Sequence, residues 1–192
     1  MSNATFYLEW LGVDKNQFRI LSLLAPTGEF TGKLSDMCRS LNISVQTRNR
    51  NKLKEDISEL ASGGYIANEQ NGRTYKLKAI PKETVIKIPT EWLNRIMNHE
   101  YTSEKVSWQA VLKVLLWTYT NSNPEVTRSE IAVDLNVGED SITSALNVLE
   151  RDLNAITRKQ VIKETENGEF IWEIPEEFQH NAKYRFYISA AS

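Results

Sequence analysis

Apolar positions in the first eighty residues follow a helical spacing three times in succession. Residues that recur at intervals of three and four lie on one face of an α-helix, so each run predicts an amphipathic helix. The three sets of apolar positions are Phe18, Ile20, Leu21, Leu23 and Leu24; Leu34, Met37, Cys38 and Leu41; and Leu53, Ile57 and Leu60. Asp14 and Ser44 precede the first and third sets, and short polar side chains of this kind cap helix N-termini.

The pattern then changes to that of a β-hairpin. Gly63 and Gly64 end the third helix, because glycine disfavours the helical backbone. Residues 65–68 and 73–77 flank the dipeptide Asn71-Gly72, which favours a tight hairpin turn. The first half therefore predicts three helices followed by a two-stranded hairpin.

The second half of the chain repeats this order of elements. Thr127 and Glu130 have the spacing of a capping box, which predicts the start of its second helix. Asn167-Gly168 predicts the turn of a hairpin within residues 161–174. The helical apolar positions are Trp108, Val111, Leu112, Leu115, Leu116 and Tyr119; Ile131 and Leu135; and Ile142, Leu146, Leu149 and Leu153.

Two short sequence echoes agree with an internal repeat. Leu41-Asn42-Ile43 returns as Leu135-Asn136-Val137, in both cases between the second and third predicted helices. Glu9-Trp10-Leu11 returns as Glu91-Trp92-Leu93. Because the echoes occur in the same order as the elements, they favour two copies of one structural plan.

Three helices with a tight turn between the second and third, followed by a hairpin, resemble a winged helix-turn-helix. The resemblance extends over residues 8–174, and the paired arrangement is also similar to the winged-helix domains of plasmid and phage replication initiators. It implies an α+β, mainly α fold with two consecutive modules, residues 5–82 and 83–192. An extra helix lies between the modules and an extension follows the second.

Charge is unevenly distributed between the two halves. The whole chain carries a formal net charge of -2, but residues 1–80 have 11 Lys and Arg against 8 Asp and Glu, whereas residues 81–192 have 12 against 17. Only the first half is electrostatically suited to a polyanion such as DNA.

The winged-helix resemblance implies that the third helix of the first module enters the DNA major groove and that the hairpin contacts the backbone. Arginine, asparagine and threonine can contact base edges, and lysine neutralises phosphates. The predicted DNA-binding residues are Thr47, Arg48, Arg50, Asn51, Lys52, Lys54, Arg73 and Lys76. Glu55 is expected to pair with Lys52 or Lys54. The alternative is an ordinary solvated helix face, since basic helix surfaces are common in soluble proteins.

The second module is expected to contact protein rather than DNA. Its third helix would present Asp140, Thr143, Ser144, Asn147 and Arg151 outward, and residues 163–169 of its hairpin are dominated by carboxylates. Acidic groups oppose binding to phosphates. The helix at residues 90–97 and a C-terminal strand at residues 184–188 carry aromatic side chains that suit a homodimer interface. Both segments could equally pack on their own module.

No catalytic or cofactor-binding motif is apparent. The stretch GEFTGKL at residues 28–34 lacks the spacing of a phosphate-binding Walker loop. Cys38 has the spacing of a core residue, and neither histidine, His99 nor His180, stands in a catalytic or zinc-binding pattern. We therefore expect no enzyme activity, no cofactor and no metal.

The expected function is sequence-specific binding of double-stranded DNA, in transcriptional regulation. The alternatives are replication initiation on a mobile element and, in a different class, a protein-interaction scaffold built from winged helices. No apolar run is long enough to cross a membrane, and the N-terminus does not resemble a signal peptide. With a single cysteine, these features predict a cytoplasmic protein without a membrane partner.

Overall fold

The computed structural model describes residues 2–121, 126–160 and 184–188. Within these residues the protein is α+β, with seven α-helices and three small antiparallel sheets. The chain divides into two units between Thr90 and Glu91. The hairpin expected at residues 161–174 lies outside the described residues, as does His180.

The three helices of the first unit form where the apolar spacing predicts them. They are α1 (Lys15–Leu24), α2 (Leu34–Ser40) and α3 (Thr47–Ser62). Asp14 is confirmed as the cap of α1, because its Oδ1 accepts hydrogen bonds from the backbone N–H groups of Asn16 at 2.6 Å and Gln17 at 3.2 Å. Cys38 is buried, as its position on the apolar stripe of α2 predicts.

A three-stranded antiparallel sheet contains the predicted hairpin. Its strands are β2 (Glu29–Lys33), β3 (Ile66–Asn71) and β4 (Thr74–Ala79), in the order β2-β4-β3. The sequence does not predict β2. The hairpin is confirmed, but its turn consists of Gly72 and Arg73, because Asn71 pairs with Thr74. Gly72 has a φ of 61°, a conformation that glycine adopts readily at the first central position of a tight turn.

The remaining strands of the first unit are β1 (Asn3–Tyr7) and β5 (Val85–Pro89), which pair antiparallel. A short 3-10 helix, Leu8–Gly12, follows β1 and buries Trp10, whose ring meets that of Phe6 edge-on at 5.8 Å. The first unit therefore extends past residue 82, where the sequence places the module boundary, to include β5.

The second unit is built around a buried central helix. Its helices are α4 (Thr90–Met97), α5 (Trp108–Thr120), α6 (Arg128–Leu135) and α7 (Glu139–Asn147), and a π-helical turn, Val148–Asp152, continues α7. The predicted capping box is confirmed: Thr127 Oγ1 accepts from the N–H of Glu130, while a carboxylate oxygen of Glu130 accepts from the N–H of Thr127.

The segments that could form a dimer interface both pack within the second unit. The α4 helix buries Trp92, Leu93 and Ile96. The predicted C-terminal strand is confirmed as β7 (Tyr184–Ile188), which pairs antiparallel with β6 (Ile156–Gln160). Phe186 of β7 is buried and meets the ring of Trp117 at 6.2 Å. Across the described ranges, none of the helices combines the length and apolar character that a bilayer crossing requires.

The two copies of one sequence echo, centred on Asn42 and Asn136, have equivalent local structures. The copies of the other do not, because Glu9-Trp10-Leu11 lies in the 3-10 helix and Glu91-Trp92-Leu93 lies in α4. Asn42 and Asn136 both adopt the left-handed conformation, with φ of 52° and 50°. The N–H of the following residue returns to the preceding helix in each case: Ile43 donates to the carbonyl of Cys38 at 2.9 Å, and Val137 donates to that of Ala132 at 3.0 Å. The same turn thus joins α2 to α3 in the first unit and α6 to α7 in the second.

Candidate nucleic-acid interface

The α3 helix is oriented by three apolar side chains. Leu53, Ile57 and Leu60 are each at most 4% exposed and fix one side of the helix against the core. The other side is open to solvent. The six predicted DNA-binding residues on this helix are all exposed: Thr47, Arg48, Arg50, Asn51, Lys52 and Lys54.

The start of α3 differs from the sequence prediction. Gln46, not Ser44, occupies the cap position, and its side chain makes no capping hydrogen bond. Ser44 instead accepts two hydrogen bonds from the Nδ2 of Asn49, to its carbonyl oxygen and its Oγ, each at 2.8 Å. Asn49 therefore connects the α2–α3 turn to the first turn of α3 and helps to fix the position of the helix N-terminus.

A groove of about 560 Å³ lies between the start of α2, the exposed side of α3 and the β3–β4 hairpin. It brings together five of the predicted residues: Thr47, Arg50, Asn51, Lys54 and Arg73. The sequence separation between the helix and the hairpin is bridged by the packing of α3 against β3. We call this cleft the α3–hairpin groove.

The groove also contains residues that the sequence did not identify. Lys33 and Ser35 line it from the junction of β2 and α2, and Gln70 lines it from β3. The Nε2 of Gln70 donates to the carbonyl of Gly72 at 2.9 Å, which holds the amide beside the turn. Lys33 could have been found only by recognising β2, because that strand places it opposite Thr74 of the hairpin.

Four cationic side chains line the α3–hairpin groove: Lys33, Arg50, Lys54 and Arg73. No acidic side chain is among the described residues that line it. Thr47, Asn51 and Gln70 add neutral hydrogen-bonding groups. A cleft with four like charges attracts anions, and its amide and hydroxyl groups can bind either phosphate oxygens or base edges.

Three predicted residues do not line the groove: Arg48, Lys52 and Lys76. Arg48 lies on the exposed side of α3. Lys76 and Lys78 of β4 face solvent opposite Glu69 and Glu29 on the neighbouring strands. Because directly opposed residues share one face of a sheet, the outward face of the sheet is balanced in charge, unlike the groove.

Lys52 has acidic neighbours. Its Nζ lies 3.1 Å from Oδ1 of Asp56 and 3.7 Å from Oε2 of Glu55, so the expected pairing of Glu55 is confirmed for Lys52. The close contact with the Asp56 carboxylate raises the pKa of the Lys52 ammonium. Burial raises the pKa of Asp56, and this effect outweighs the opposing attraction of the ammonium. Lys52 is thus held on the flank of α3 away from the groove.

In the second unit, the α7 face that corresponds to the exposed side of α3 is covered by other residues of the same unit. The Glu104 carboxylate accepts hydrogen bonds from Ser144 Oγ at 3.1 Å and Asn147 Nδ2 at 2.7 Å. Arg158 of β6 donates to Oδ1 of Asn147 at 2.6 Å and pairs with Glu150 at 2.9 Å. Ser144 and Asn147, predicted to face outward, are therefore only partly exposed, and a carboxylate lies against them.

The segment that carries Glu104 is also attached at the end of the helix. Oδ2 of Asp152 accepts from the N–H groups of Thr102 and Ser103, both at 3.0 Å, and from Ser103 Oγ at 2.8 Å. Burial alone would raise the pKa of Asp152, but these hydrogen bonds lower it below its usual value. The carboxylates of Glu104 and Asp152 thus hold residues 98–107 against α7 and the turn that follows it, through hydrogen bonds.

Comparison with known proteins gives no relative from which a site could be transferred: no family model matches the chain, and no curated protein matches it. The residues of the α3–hairpin groove are therefore assigned from their geometry and chemistry.

Proposed function

We propose that the protein is a sequence-specific double-stranded DNA-binding protein whose first unit is the reader. The observation that carries this proposal is the α3–hairpin groove, with Lys33, Arg50, Lys54 and Arg73 and no acidic side chain among its described lining. Cations at such positions bind backbone phosphates and release condensed counterions, which is the main sequence-independent source of affinity for DNA.

The exposed side of α3 would read the bases. Arg48 and Asn51 are exposed in the first part of the helix, the part that recognition helices present to the major groove. Arginine can donate two hydrogen bonds to guanine, and asparagine can pair with the edge of adenine. Thr47 at the start of α3 can contact a thymine methyl group.

The order of elements supports a winged helix-turn-helix for the first unit. The α2 and α3 helices are joined by a tight turn, and the β3–β4 hairpin follows α3 and borders its exposed side. The matching turns at Asn42 and Asn136 support a second module of the same kind. We also propose a cytoplasmic location for the protein.

We propose a different role for the second unit. Glu104 lies against Ser144 and Asn147 on α7, so a DNA phosphate approaching this face would meet a carboxylate. Protein contact, including a homodimer, suits this unit better. Transcriptional regulation is the proposed biological role. Replication initiation is the second candidate, because the turn shared by the two units favours the paired-module architecture that winged-helix initiators have.

The proposal can be tested by fluorescence-anisotropy titration of the full chain with a random pool of duplex DNA at several salt concentrations, followed by sequencing of the retained fraction. We expect salt-sensitive binding and enrichment of one motif. The Arg48→Ala, Asn51→Ala double variant should stay folded and lose the motif preference, with a cost of about 1–3 kcal/mol for each lost base contact.

A variant on the outward face of the sheet, Lys78→Ala, is the matched control and should keep the motif. A repeated motif in the wild-type pool would favour replication initiation, and a palindromic one a dimeric regulator. Absence of binding even at low salt would refute DNA recognition and leave the protein-interaction scaffold.

A further inference from the structure

Three carboxylates meet on the flank of α3 that faces away from the groove. One oxygen from each of Asp14, Asp56 and Glu59 lies within 4.8 Å of the other two. Three points separated by at most 4.8 Å lie within about 2.8 Å of a common centre, slightly beyond the 2.3–2.6 Å at which Ca²⁺ binds oxygen. Small side-chain rotations are enough to bring all three oxygens to one ion.

Asp56 distinguishes this group from a cluster of surface acids. Its side chain is fully buried, and neither of its oxygens accepts a hydrogen bond of good geometry from a described residue. A buried carboxylate in this condition is unfavourable unless a cation compensates its charge. The neighbouring Lys52 ammonium is half-exposed and is also in contact with Glu55, so one ammonium is shared among several carboxylates.

The other two carboxylates are held in place and each keeps one oxygen available. Asp14 accepts its two capping hydrogen bonds through Oδ1. Glu59 accepts from Gln17 Nε2 through Oε2, at 2.7 Å. No described residue donates to Asp14 Oδ2 or Glu59 Oε1. The α1 N-terminus and α3 therefore position two ligands in advance.

Space for water lies beside the same carboxylate. A cavity of about 70 Å³ is lined by Asp56 together with Asn16, Arg19, Asn49 and Lys52. This volume has room for about two water molecules. Asp14 and Glu59 are not among its lining residues, so the cavity supplies water beside Asp56 and no second carboxylate. Hard cations complete their coordination with such water.

We propose that Asp14, Asp56 and Glu59 form a binding site for a hard divalent cation of the Ca²⁺ or Mg²⁺ class. The ligand set contains three carboxylates and neither sulfur nor imidazole, which selects hard cations over zinc and copper. Entry of the cation moves the Lys52 ammonium away from Asp56, because both compete for the same carboxylate. The site is separate from the α3–hairpin groove and does not depend on DNA binding.

The test is isothermal titration calorimetry of the full chain, first freed of metal with a chelator, against CaCl₂, MgCl₂ and MnCl₂ separately. We expect one site with a dissociation constant of about 10⁻⁴–10⁻³ M. The midpoint of thermal unfolding should rise by roughly 3–6 °C at ten times that concentration. Mn²⁺ should broaden the amide NMR signals of Gln17, Asp56 and Glu59 before those of the β3–β4 hairpin.

Asp56→Asn and Glu59→Gln should each weaken binding by at least about tenfold, because each removes a charged ligand. Glu69→Gln is the matched control, an exposed carboxylate on β3 opposite Lys76, and should leave the affinity unchanged. Glu59 is exposed, so its variant keeps the test valid if Asp56→Asn fails to fold. Absence of both heat and thermal shift with all three metals would overturn the proposal and assign Asp56 to a simple ion pair with Lys52. Binding that survives both variants would overturn it equally.

Discussion

Lys52 and Lys54 are two residues apart on α3, but their surroundings differ. Lys54 lines the α3–hairpin groove with Arg50 and Arg73. Lys52 contacts the carboxylates of Asp56 and Glu55. With 100° of rotation per residue, the two side chains point about 200° apart around the helix axis. Their contributions to anion binding should therefore differ, although their sequence contexts are alike.

We expect Lys54→Ala to weaken DNA binding by roughly 3- to 10-fold at physiological salt, the effect of losing one phosphate contact. Lys52→Ala should weaken it by less than about 2-fold, because its charge is already compensated by Asp56 and Glu55. Anisotropy titrations of both variants against the same duplex measure this difference. A larger effect for Lys52 than for Lys54 would show that the groove is not the binding surface.

Other residues of α3 show which features of the helix the sequence can predict and which it cannot. Helical periodicity correctly predicts that Leu53, Ile57 and Leu60 are buried and that Thr47, Arg48 and Asn51 are exposed, because it depends only on local geometry. It could not predict a buried Asp56, since an acidic residue next to the apolar stripe normally remains in solvent. The burial of Asp56 arises from the packing of α3 against α1, which joins residues distant in sequence.

At the scale of elements, the sequence does not predict which strands pair when they are distant along the chain. The β2 strand is short and contains Gly32, so its pattern is typical of a loop, yet it pairs along its whole length with β4. The pairing of β1 with β5 joins the two ends of the first unit. The helices, the β3–β4 hairpin and the capping box were predictable because local sequence specifies them. Lys33 was missed as a groove residue for the same reason as β2.

The segment between α4 and α5 contains a tyrosine whose hydroxyl has a raised pKa. The hydroxyl of Tyr101 donates to the carbonyl of Val106 at 3.0 Å, and burial raises its pKa from 10.0 to about 12. Because the folded protein holds this proton more tightly than the unfolded chain, the resulting stability is present below pH 10 and is lost as the pH rises from 10 towards 12.

We therefore expect the free energy of unfolding to fall by about 1–2 kcal/mol through this residue between pH 10 and 12, after allowance for solvent screening. Urea titrations across this range measure the loss. Tyr101→Phe should destabilise the protein by about 1 kcal/mol at neutral pH and remove this alkaline component. Tyr65→Phe in the first unit is the control for loss of a hydroxyl. An unchanged alkaline slope in Tyr101→Phe would contradict the assignment.

At the scale of the whole molecule, two units share a turn geometry but not a surface chemistry. Asn42 and Asn136 occupy equivalent left-handed positions, the first between α2 and α3 and the second between α6 and α7. The exposed side of α3 borders a groove with four cations, whereas the face of α7 is covered by Glu104. The common turn agrees with the repeat proposed for the two units. The difference in surface chemistry is the reason that we propose different binding partners for them.

If only the first unit binds DNA, the salt dependence of DNA binding by the full chain can be predicted. If the four groove cations each neutralise one phosphate, the logarithm of the DNA association constant should fall with the logarithm of salt concentration with a slope of about -3.6. Lys54→Ala combined with Arg73→Ala should reduce the magnitude of the slope by about 1.8, because two phosphate contacts are lost.

The matched pair in the second unit is Lys105→Ala combined with Arg151→Ala, since both residues are exposed and carry the same total charge. Their removal should leave the slope unchanged, because neither lines the groove. Thermal unfolding and sedimentation of both double variants check that folding and oligomeric state are retained. An equal loss of slope from the two pairs would mean that DNA contacts both units, and the acidic face of α7 would then have to open for binding.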